Sequence, residues 1–123
     1  MRSGVHRERL PRKRSAVTHS FNLGGHEAVL TVGVYDDGRC GEIFLDLGKE
    51  GSDVAGWSNA FCIAVSLGLQ HGVPIEKFIH TFGGMKFGAN GATDNEEIGS
   101  ATSIPDMVMK ILEKEFTESV KEG

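Results

Sequence analysis

Few side chains in this sequence have the types and the spacing that catalysis requires. The five histidines show no metal-ligand spacing, and Cys40 and Cys62 do not form a C-x-x-C pair. No G-x-S-x-G sequence places a serine on a nucleophile elbow. The carboxylate pairs Asp36–Asp37 and Glu96–Glu97 lie in turn-like stretches, where solvation accounts for them. We therefore expect a non-catalytic protein that holds no metal and needs no cofactor.

A glycine-rich stretch offers better material for binding a nucleotide. The segment GGMKFGANGATDNEEIG (83–99) predicts an unstructured loop, and loops of this length are usually functional in a compact domain. An aromatic ring can stack on a base, an amide can bind its edge and a cation can meet phosphate. The loop and the residue before it supply such groups: Phe82, Lys86, Phe87, Asn90 and Asn95. The alternative is that the phenylalanines pack into the core and the asparagines hold turns.

A second candidate anion site lies at GKEGSD (48–53), between a predicted strand and a predicted helix. Lys49, Ser52 and the backbone amides there could bind phosphate, because a helix N-terminus favours anions. The stretch does not match G-x-x-x-x-G-K-[ST]. An ordinary glycine turn followed by a helix cap, either Ser52 or Asp53, is therefore the alternative interpretation.

The basic residues are concentrated at the N-terminus. The first 14 residues carry six basic side chains and one acidic one, leaving seven basic and sixteen acidic residues for the rest. We expect residues 1–14 to form a basic arm, in which Arg9, Arg12 and Arg14 of several copies converge on an anionic ligand. The alternatives are a solvated arm and a nucleic-acid-binding tail. The acidic remainder opposes the second, so no nucleic-acid partner is expected.

The hydrophobic pattern predicts an α+β fold with a three-stranded antiparallel meander followed by helices. Strands are predicted at 15–22, 26–35 and 41–48, joined by the turn sequences LGG and DDGR. A helix should run from Ser52 or Asp53 to about Gln70, with Gly72 after it, and a short helix should follow Pro74. Ser103 and Asp106 form a capping-box pattern before the last helix, whose predicted apolar stripe is Val108, Ile111, Leu112 and Phe116. The predicted domain is 15–118, with a frayed tail at 119–123.

The central helix lies in a stretch without charge. Residues 54–75 contain no Asp, Glu, Lys or Arg, yet they are too polar and too rich in glycine for a spanning helix. We predict a buried helix whose remaining surface is covered by a second copy, giving a homo-oligomer that is built from dimers and reaches up to a hexamer. Complete burial within the monomer is the alternative. No secretory signal is evident, so we expect a cytoplasmic protein with reduced cysteines.

The sequence resembles the C-terminal TSCPD-type module of adenosylcobalamin-dependent (class II) ribonucleotide reductases. The resemblance covers roughly residues 7–112, through RERLP, RSAVTHSFNLGGHEAVLTVGVYDDGRCGEIFLDLGKEGS, AVSLGLQHGVPIEKF, MKF and SIPD. It implies that RERLP belongs to the edge of the fold. The barrel, the radical cysteines and the cobalamin site of such enzymes lie elsewhere, so no reductase activity is expected. Where these modules commonly have M-R-F, this chain has Lys86, which weakens a pocket that needs a guanidinium.

A free-standing module of this kind also resembles small phage proteins of the Thoeris anti-defence sponge type. The chain begins with Met just ahead of the module and has no C-terminal cysteine pair, so we expect a free-standing protein. This resemblance implies an oligomer that sequesters cyclic ADP-ribose isomers, and in some members cyclic oligonucleotides, in the cytoplasm of a phage-infected bacterium. The alternative function is an accessory or regulatory module of a class II reductase acting in trans. The expected partners are a nucleotide and further copies of the chain, without a membrane.

Overall fold

The structure is a computed structural model that describes residues 6–117. Along the chain it contains β1 (Ala16–Leu23), β2 (His26–Val34), β3 (Cys40–Asp46), α1 (Ser52–Gln70), α2 (Ile75–Phe82), β4 (Gly91–Ala92), β5 (Ser100–Ala101) and α3 (Ile104–Phe116). The predicted α+β class, with a meander of three strands followed by helices, is confirmed. The predicted strand bounds differ by one or two residues, as element ends commonly do.

Two glycines set the register of the first hairpin. Gly24 and Gly25 have φ of 58° and 85°, the left-handed values that a two-residue turn of type I′ requires. This turn places Leu23 opposite His26. The same register places Ser15 opposite Val34, whose N–H donates to the Ser15 carbonyl at 3.0 Å. The strand order is β1-β2-β3.

The second hairpin contains a close approach that only glycine allows. Gly33 lies opposite Glu42 in the antiparallel pairing of β2 with β3. A Cβ atom on Gly33 would collide with the carboxylate of Glu42, which is buried. The register shifts between Gly33 and Val34, and this bulge precedes the turn that contains Gly38, with φ of 91°.

Helix α1 covers the outer edge of β3 with polar side chains. Residues spaced by four along the helix meet every second residue of the strand: Gln70 bonds to the Gly41 carbonyl (2.9 Å), Ser66 bonds to Ile43 (2.9 Å), and the Cys62 thiol lies beside the backbone of Leu45. Because positions i, i+4 and i+8 lie on one side of a helix, one stripe of α1 satisfies the unpaired backbone groups of the strand. We call this arrangement the edge ladder.

Helix α1 is buried along one side only, which leaves its other side uncovered as predicted. Only Cys62, Val65, Leu69 and Gln70 of α1 are buried. The other side of the helix exposes large apolar groups: Val54, Trp57, Ile63 and Leu67. The alternative of complete burial within the monomer is therefore wrong. We call these four residues the apolar face of α1; the predicted oligomer that would cover it stays a prediction.

The C-terminal end of α1 follows the prediction, whereas the N-terminal end departs from it. Gly72 has φ of 94° directly after the helix, as expected of a glycine stop. The predicted cap at Ser52 or Asp53 is wrong, because the N-cap is Gly51 and no side chain caps this end. Gly51 has an extended backbone, and the helix begins at Ser52.

The described chain divides into two compact units, one comprising residues 6–19 and 29–75 and the other 20–28 and 76–117. In the first, buried apolar residues come from the sheet and from α1, with Leu30, Val32 and Ile43 at 0% exposure. In the second, α3 supplies most of the core: Met107, Val108, Met109, Ile111 and Leu112. The predicted stripe of α3 is confirmed except at Phe116, which is half-buried.

The glycine-rich segment is more ordered than predicted. A two-residue ladder pairs Gly91 with Ala101 and Ala92 with Ser100, and Leu23 forms a bridge with Thr93. The prediction of a structureless loop from 83 to 99 is wrong at this ladder. Among residues 6–117, no helix combines the length and the hydrophobicity that crossing a membrane requires.

Candidate functional site

The first turn of α3 holds a carboxylate that is almost completely buried. Asp106 is 2% exposed and accepts hydrogen bonds from the N–H groups of Gly84 (2.7 Å) and Thr102 (2.9 Å). Lys110, one turn further along, approaches it to 3.2 Å. Burial alone would raise the pKa of Asp106, but these donors and the lysine outweigh it, and the pKa is lowered. The carboxylate therefore stays ionised and ties the 84 and 102 segments to the helix.

The predicted capping box at Ser103 is confirmed in one half only. The Ser103 hydroxyl accepts from the N–H of Asp106 at 3.1 Å, as an N-cap should. In a full box the Asp106 side chain would bond back to the N–H of Ser103. It binds the N–H of Thr102 instead, one residue earlier. The carboxylate is thereby free to bind Gly84 as well.

A cleft of about 410 Å³ lies beside this carboxylate in the second unit. Its lining combines the apolar side chains of Ile79 and Met109 with the titratable groups of His80, Lys86, Lys110 and Glu113. The Lys110 ammonium is already held by the Ser100 carbonyl (3.0 Å) and by Asp106. Lys86 makes no hydrogen bond or ion pair with another described residue. An apolar wall beside an unpaired ammonium suits a small organic anion.

Only one of the five predicted nucleotide-binding residues lines the cleft. Lys86 lines it, whereas Phe82, Phe87, Asn90 and Asn95 do not. Phe82 is half-buried and stacks on Phe78, with ring centroids 6.5 Å apart, and Phe87 is 56% exposed.

The two asparagines act within the loop itself. The Asn95 side chain accepts from the N–H groups of Glu97 (3.0 Å) and Ile98 (3.3 Å), so it holds a turn. The amide of Asn90 donates to the Gly88 carbonyl at 2.9 Å. These contacts correspond to the alternative interpretation of the asparagines, in which they stabilise turns.

The arginines predicted to bind an anion differ in their surroundings. Arg14 donates to the carboxylate of Glu42, with Nε and Oε2 2.5 Å apart, and to the Pro11 carbonyl. Arg9 and Arg12 are exposed, and their side chains contact no described partner. An anion at Arg14 would have to compete with a partly buried carboxylate, whereas Arg9 and Arg12 are available.

Arg7 and Glu8 belong to the first unit and make contacts within it that the sequence did not predict. Arg7 donates to the Gln70 side chain at 2.6 Å, and the N–H of Glu8 donates to the Gln70 carbonyl at 2.7 Å. The Tyr35 hydroxyl donates to the Glu8 carbonyl at 2.5 Å, and burial raises the pKa of Tyr35. The expectation that RERLP belongs to the edge of the fold is confirmed for these residues. Such contacts between distant positions leave no short-range signal in a sequence.

The junction between β3 and α1 is exposed and would surround an anion poorly. Lys49 and Ser52 are both exposed, and Ser52 is the first residue of α1. Nothing in the described part of the chain holds either side chain in place. The anion site predicted there stays a prediction.

The cysteines lack the properties of redox or ligand residues. Both are buried and free, and burial raises the pKa of Cys40 to about 12 and that of Cys62 to about 11. A thiol with such a pKa is almost wholly protonated at neutral pH and is a poor nucleophile. Within residues 6–117, no three His, Cys, Asp or Glu side chains are grouped so that they could hold a metal ion.

Comparison with known proteins assigns the chain to a family. The model of the TSCPD domain matches residues 5–116, so nearly the whole chain corresponds to it. The chain belongs to the TSCPD domain family.

The similar curated proteins are described as vitamin B12-dependent ribonucleotide reductases. The chain is 44% identical over 110 residues to that of Streptantibioticus cattleyicolor, covering 89% of the chain and 18% of the relative. It is 44% identical over 110 residues to that of Streptomyces coelicolor, covering 89% of the chain and 11% of the relative. It is 45% identical over 107 residues to that of Agrobacterium fabrum, covering 86% of the chain and 8% of the relative. The chain thus spans less than a fifth of the length of these relatives. No solved structure matches it.

Proposed function

We propose that this chain serves a vitamin B12-dependent ribonucleotide reductase as a non-catalytic accessory module. One observation carries the proposal: 44% identity over 110 residues to proteins of that description, within a TSCPD match that covers nearly the whole chain. The module contributes binding surfaces to the enzyme, and the reacting groups come from elsewhere.

The local chemistry supports a role without catalysis. The residues present do not fit a corrinoid or a radical centre, because the described part of the chain groups no metal ligands and both thiols are buried with raised pKa values. We therefore derive no step through cobalamin. What the chain offers is the apolar face of α1 and the cleft beside Asp106.

A binding experiment with a related reductase tests the proposal. The reductase of Streptomyces coelicolor, lacking its own region similar to this chain, is immobilised and titrated with the full chain. We expect saturable binding and a change in the turnover of the enzyme. A chain that neither binds nor alters turnover at tens of micromolar would contradict the proposal.

A second candidate function is the sequestration of a cyclic nucleotide such as a cyclic ADP-ribose isomer. The observation that favours it is the unpaired Lys86 ammonium in the cleft of the second unit. The reductase relatives do not support it, so it ranks second. Titration calorimetry with cyclic ADP-ribose tests it: Lys86→Ala should weaken binding about tenfold or more, as expected for a lost charged hydrogen bond. Lys77→Ala is the matched control, because Lys77 is an exposed lysine outside the cleft lining. Release of a cleaved product would exclude sequestration.

A further inference from the structure

The cleft of the second unit is lined along one side of α3. Asp106, Met109, Lys110 and Glu113 belong to this lining, and Ile79 of α2 contributes to it as well. These positions of α3 share one face, because residues three and four apart are neighbours on a helix. Met109 is only 1% exposed and forms the floor. The lining therefore follows α3 from Asp106 to Glu113, which corresponds to roughly 10 Å of helix.

Two of the charged side chains in this lining neutralise each other, and two do not. The Asp106 carboxylate and the Lys110 ammonium are 3.2 Å apart, and Lys110 also donates to the Ser100 carbonyl at 3.0 Å. Lys86 and Glu113 differ from this pair. Neither side chain makes a hydrogen bond or an ion pair with another described residue, so they do not bind each other either. The cleft thus contains one unpaired positive group and one unpaired negative group.

The backbone places these two unpaired groups at different levels of α3. Gly84, two residues before Lys86, donates to the Asp106 carboxylate at 2.7 Å, which holds the 84–86 segment beside the first turn of the helix. Glu113 lies seven residues after Asp106, roughly 10 Å further along the axis. Met109 belongs to the lining between these two levels. A positive group, an apolar floor and a negative group therefore follow one another along the cleft.

We propose that this cleft binds a dipolar organic molecule, whose anionic group meets Lys86 and whose cationic group meets Glu113. The apolar chain between the two charges of such a molecule lies on Met109 and Ile79, where the burial of its methylene groups contributes to affinity. Each charge of the ligand then forms a charged hydrogen bond with one unpaired group of the protein. The ω-amino acids are a class of molecule with this chemistry.

Glu113 distinguishes this site from a simple anion site. A ligand with negative charge alone would be attracted by Lys86 but repelled by Glu113, and a ligand with positive charge alone would meet the opposite conflict. The imidazole of His80, on the last turn of α2, can donate or accept and so does not select between them. The inference goes beyond the accessory role and does not depend on it, because binding to a reductase and binding in this cleft are measured separately.

Titration of the full chain with matched small molecules tests the ligand class. The probe is 6-aminohexanoate; hexanoate and hexylammonium carry a similar chain with one charge each, and glycine carries both charges without the chain. Chemical shifts of the Met109 methyl group should give a dissociation constant on the order of millimolar for 6-aminohexanoate. The other three should bind about tenfold more weakly or worse, since each lacks one contact. Equal binding of any of the three, or no binding of 6-aminohexanoate up to about 100 mM, would overturn the proposal.

Charge-exchange variants give a second measurement. Lys86→Glu and Glu113→Lys should each weaken the binding of 6-aminohexanoate about tenfold or more, because each leaves one charge of the ligand facing a like charge. The double variant should restore the affinity to within about threefold, since the ligand can bind in the reverse direction. Lys77→Glu, an equal change of charge outside the lining, is the control. Unchanged affinity in either single variant, or no binding by a double variant that circular dichroism shows to be folded, would overturn the proposal. If a variant does not fold, the comparison of probes on the wild type decides.

Discussion

The hydroxyl of Ser66 makes both hydrogen bonds that a neighbouring strand would make with Ile43. It accepts from the N–H of Ile43 at 2.9 Å and donates to the carbonyl of Ile43 at 3.3 Å. A helix side chain thus replaces a strand at the edge of the sheet. This explains how a three-stranded sheet is closed at β3 without a fourth strand.

Removing this hydroxyl should cost stability. Ser66→Ala leaves the N–H and C=O of Ile43 without their partner, and we expect a loss of about 1–3 kcal/mol in the free energy of unfolding. Urea denaturation followed by circular dichroism measures it. Ser58→Ala is the matched control on the same helix, because the buried Ser58 hydroxyl has no hydrogen-bond partner among residues 6–117. Its removal should be neutral or stabilising, and an equal loss in both variants would contradict the role of the edge ladder.

Asp106 should make stability depend on pH in the acid range. Its pKa is lowered in the folded chain, so it contributes stability above the unfolded carboxyl pKa of about 3.9. That contribution is lost as the pH falls through the lower, folded pKa. Asp106→Asn cannot accept the same set of donors and should lose about 2–3 kcal/mol at pH 7.

The difference between wild type and Asp106→Asn should shrink as the pH is lowered from 7 to 2, as measured by urea midpoints. Asp37→Asn is the control, because the pKa of Asp37 is also lowered, chiefly by its bond to Arg39, but Asp37 is exposed. It should have little effect on stability. A constant difference for Asp106→Asn across the pH range would show that its charge is not involved.

Both cysteines should resist modification in the folded protein. Their burial and their raised pKa values, about 12 for Cys40 and about 11 for Cys62, leave almost no thiolate at pH 8. Ellman's reagent should therefore react slowly with the native chain and fully in guanidinium chloride. Rapid reaction of either thiol under native conditions would show that the surrounding core opens readily.

Trp57 can report whether the apolar face of α1 is covered in solution. It is the sole tryptophan of the sequence and is 79% exposed in the isolated chain. If a second copy covers this face, the fluorescence maximum should move to shorter wavelength as concentration rises. Ile63→Glu should abolish the shift, because it places an unpaired charge in the interface, which costs on the order of several kcal/mol. Ser52→Glu, outside the apolar face, should leave the shift unchanged. A maximum that does not depend on concentration, together with a monomeric mass, would contradict association through α1.

The parts of the fold that were predictable are those with a local cause. Gly24 and Gly25 determine a turn through their own φ angles, and the alternation of Leu30 and Val32 follows from the period of a strand. The Ser103 cap likewise depends on residues three positions apart. Each of these features is determined within a few residues of sequence.

The parts that were not predictable depend on distant residues. An apolar stretch such as α1 gives the same pattern whether its second face meets the core or a partner, so the exposure of Trp57 could not be deduced. The bond between Arg7 and Gln70 joins positions 63 apart. At the candidate site, Lys86 was identifiable by its charge, but Asp106 was identified only as a helix cap. Its bond to Gly84 arises from the way the chain folds back.

The edge ladder can extend over only a short span, because the helix and the strand advance by slightly different distances at each step. Four residues of helix advance about 6.0 Å, whereas two residues of strand advance about 6.8 Å. The mismatch of about 0.8 Å accumulates with each step from Gln70 through Ser66 to Cys62, and β3 ends at Asp46, before the residue that Ser58 would face. A straight helix can therefore seal a strand edge for about three rungs, which suits the seven residues of β3. Lengthening β3 would require the helix to bend or a fourth strand to replace it.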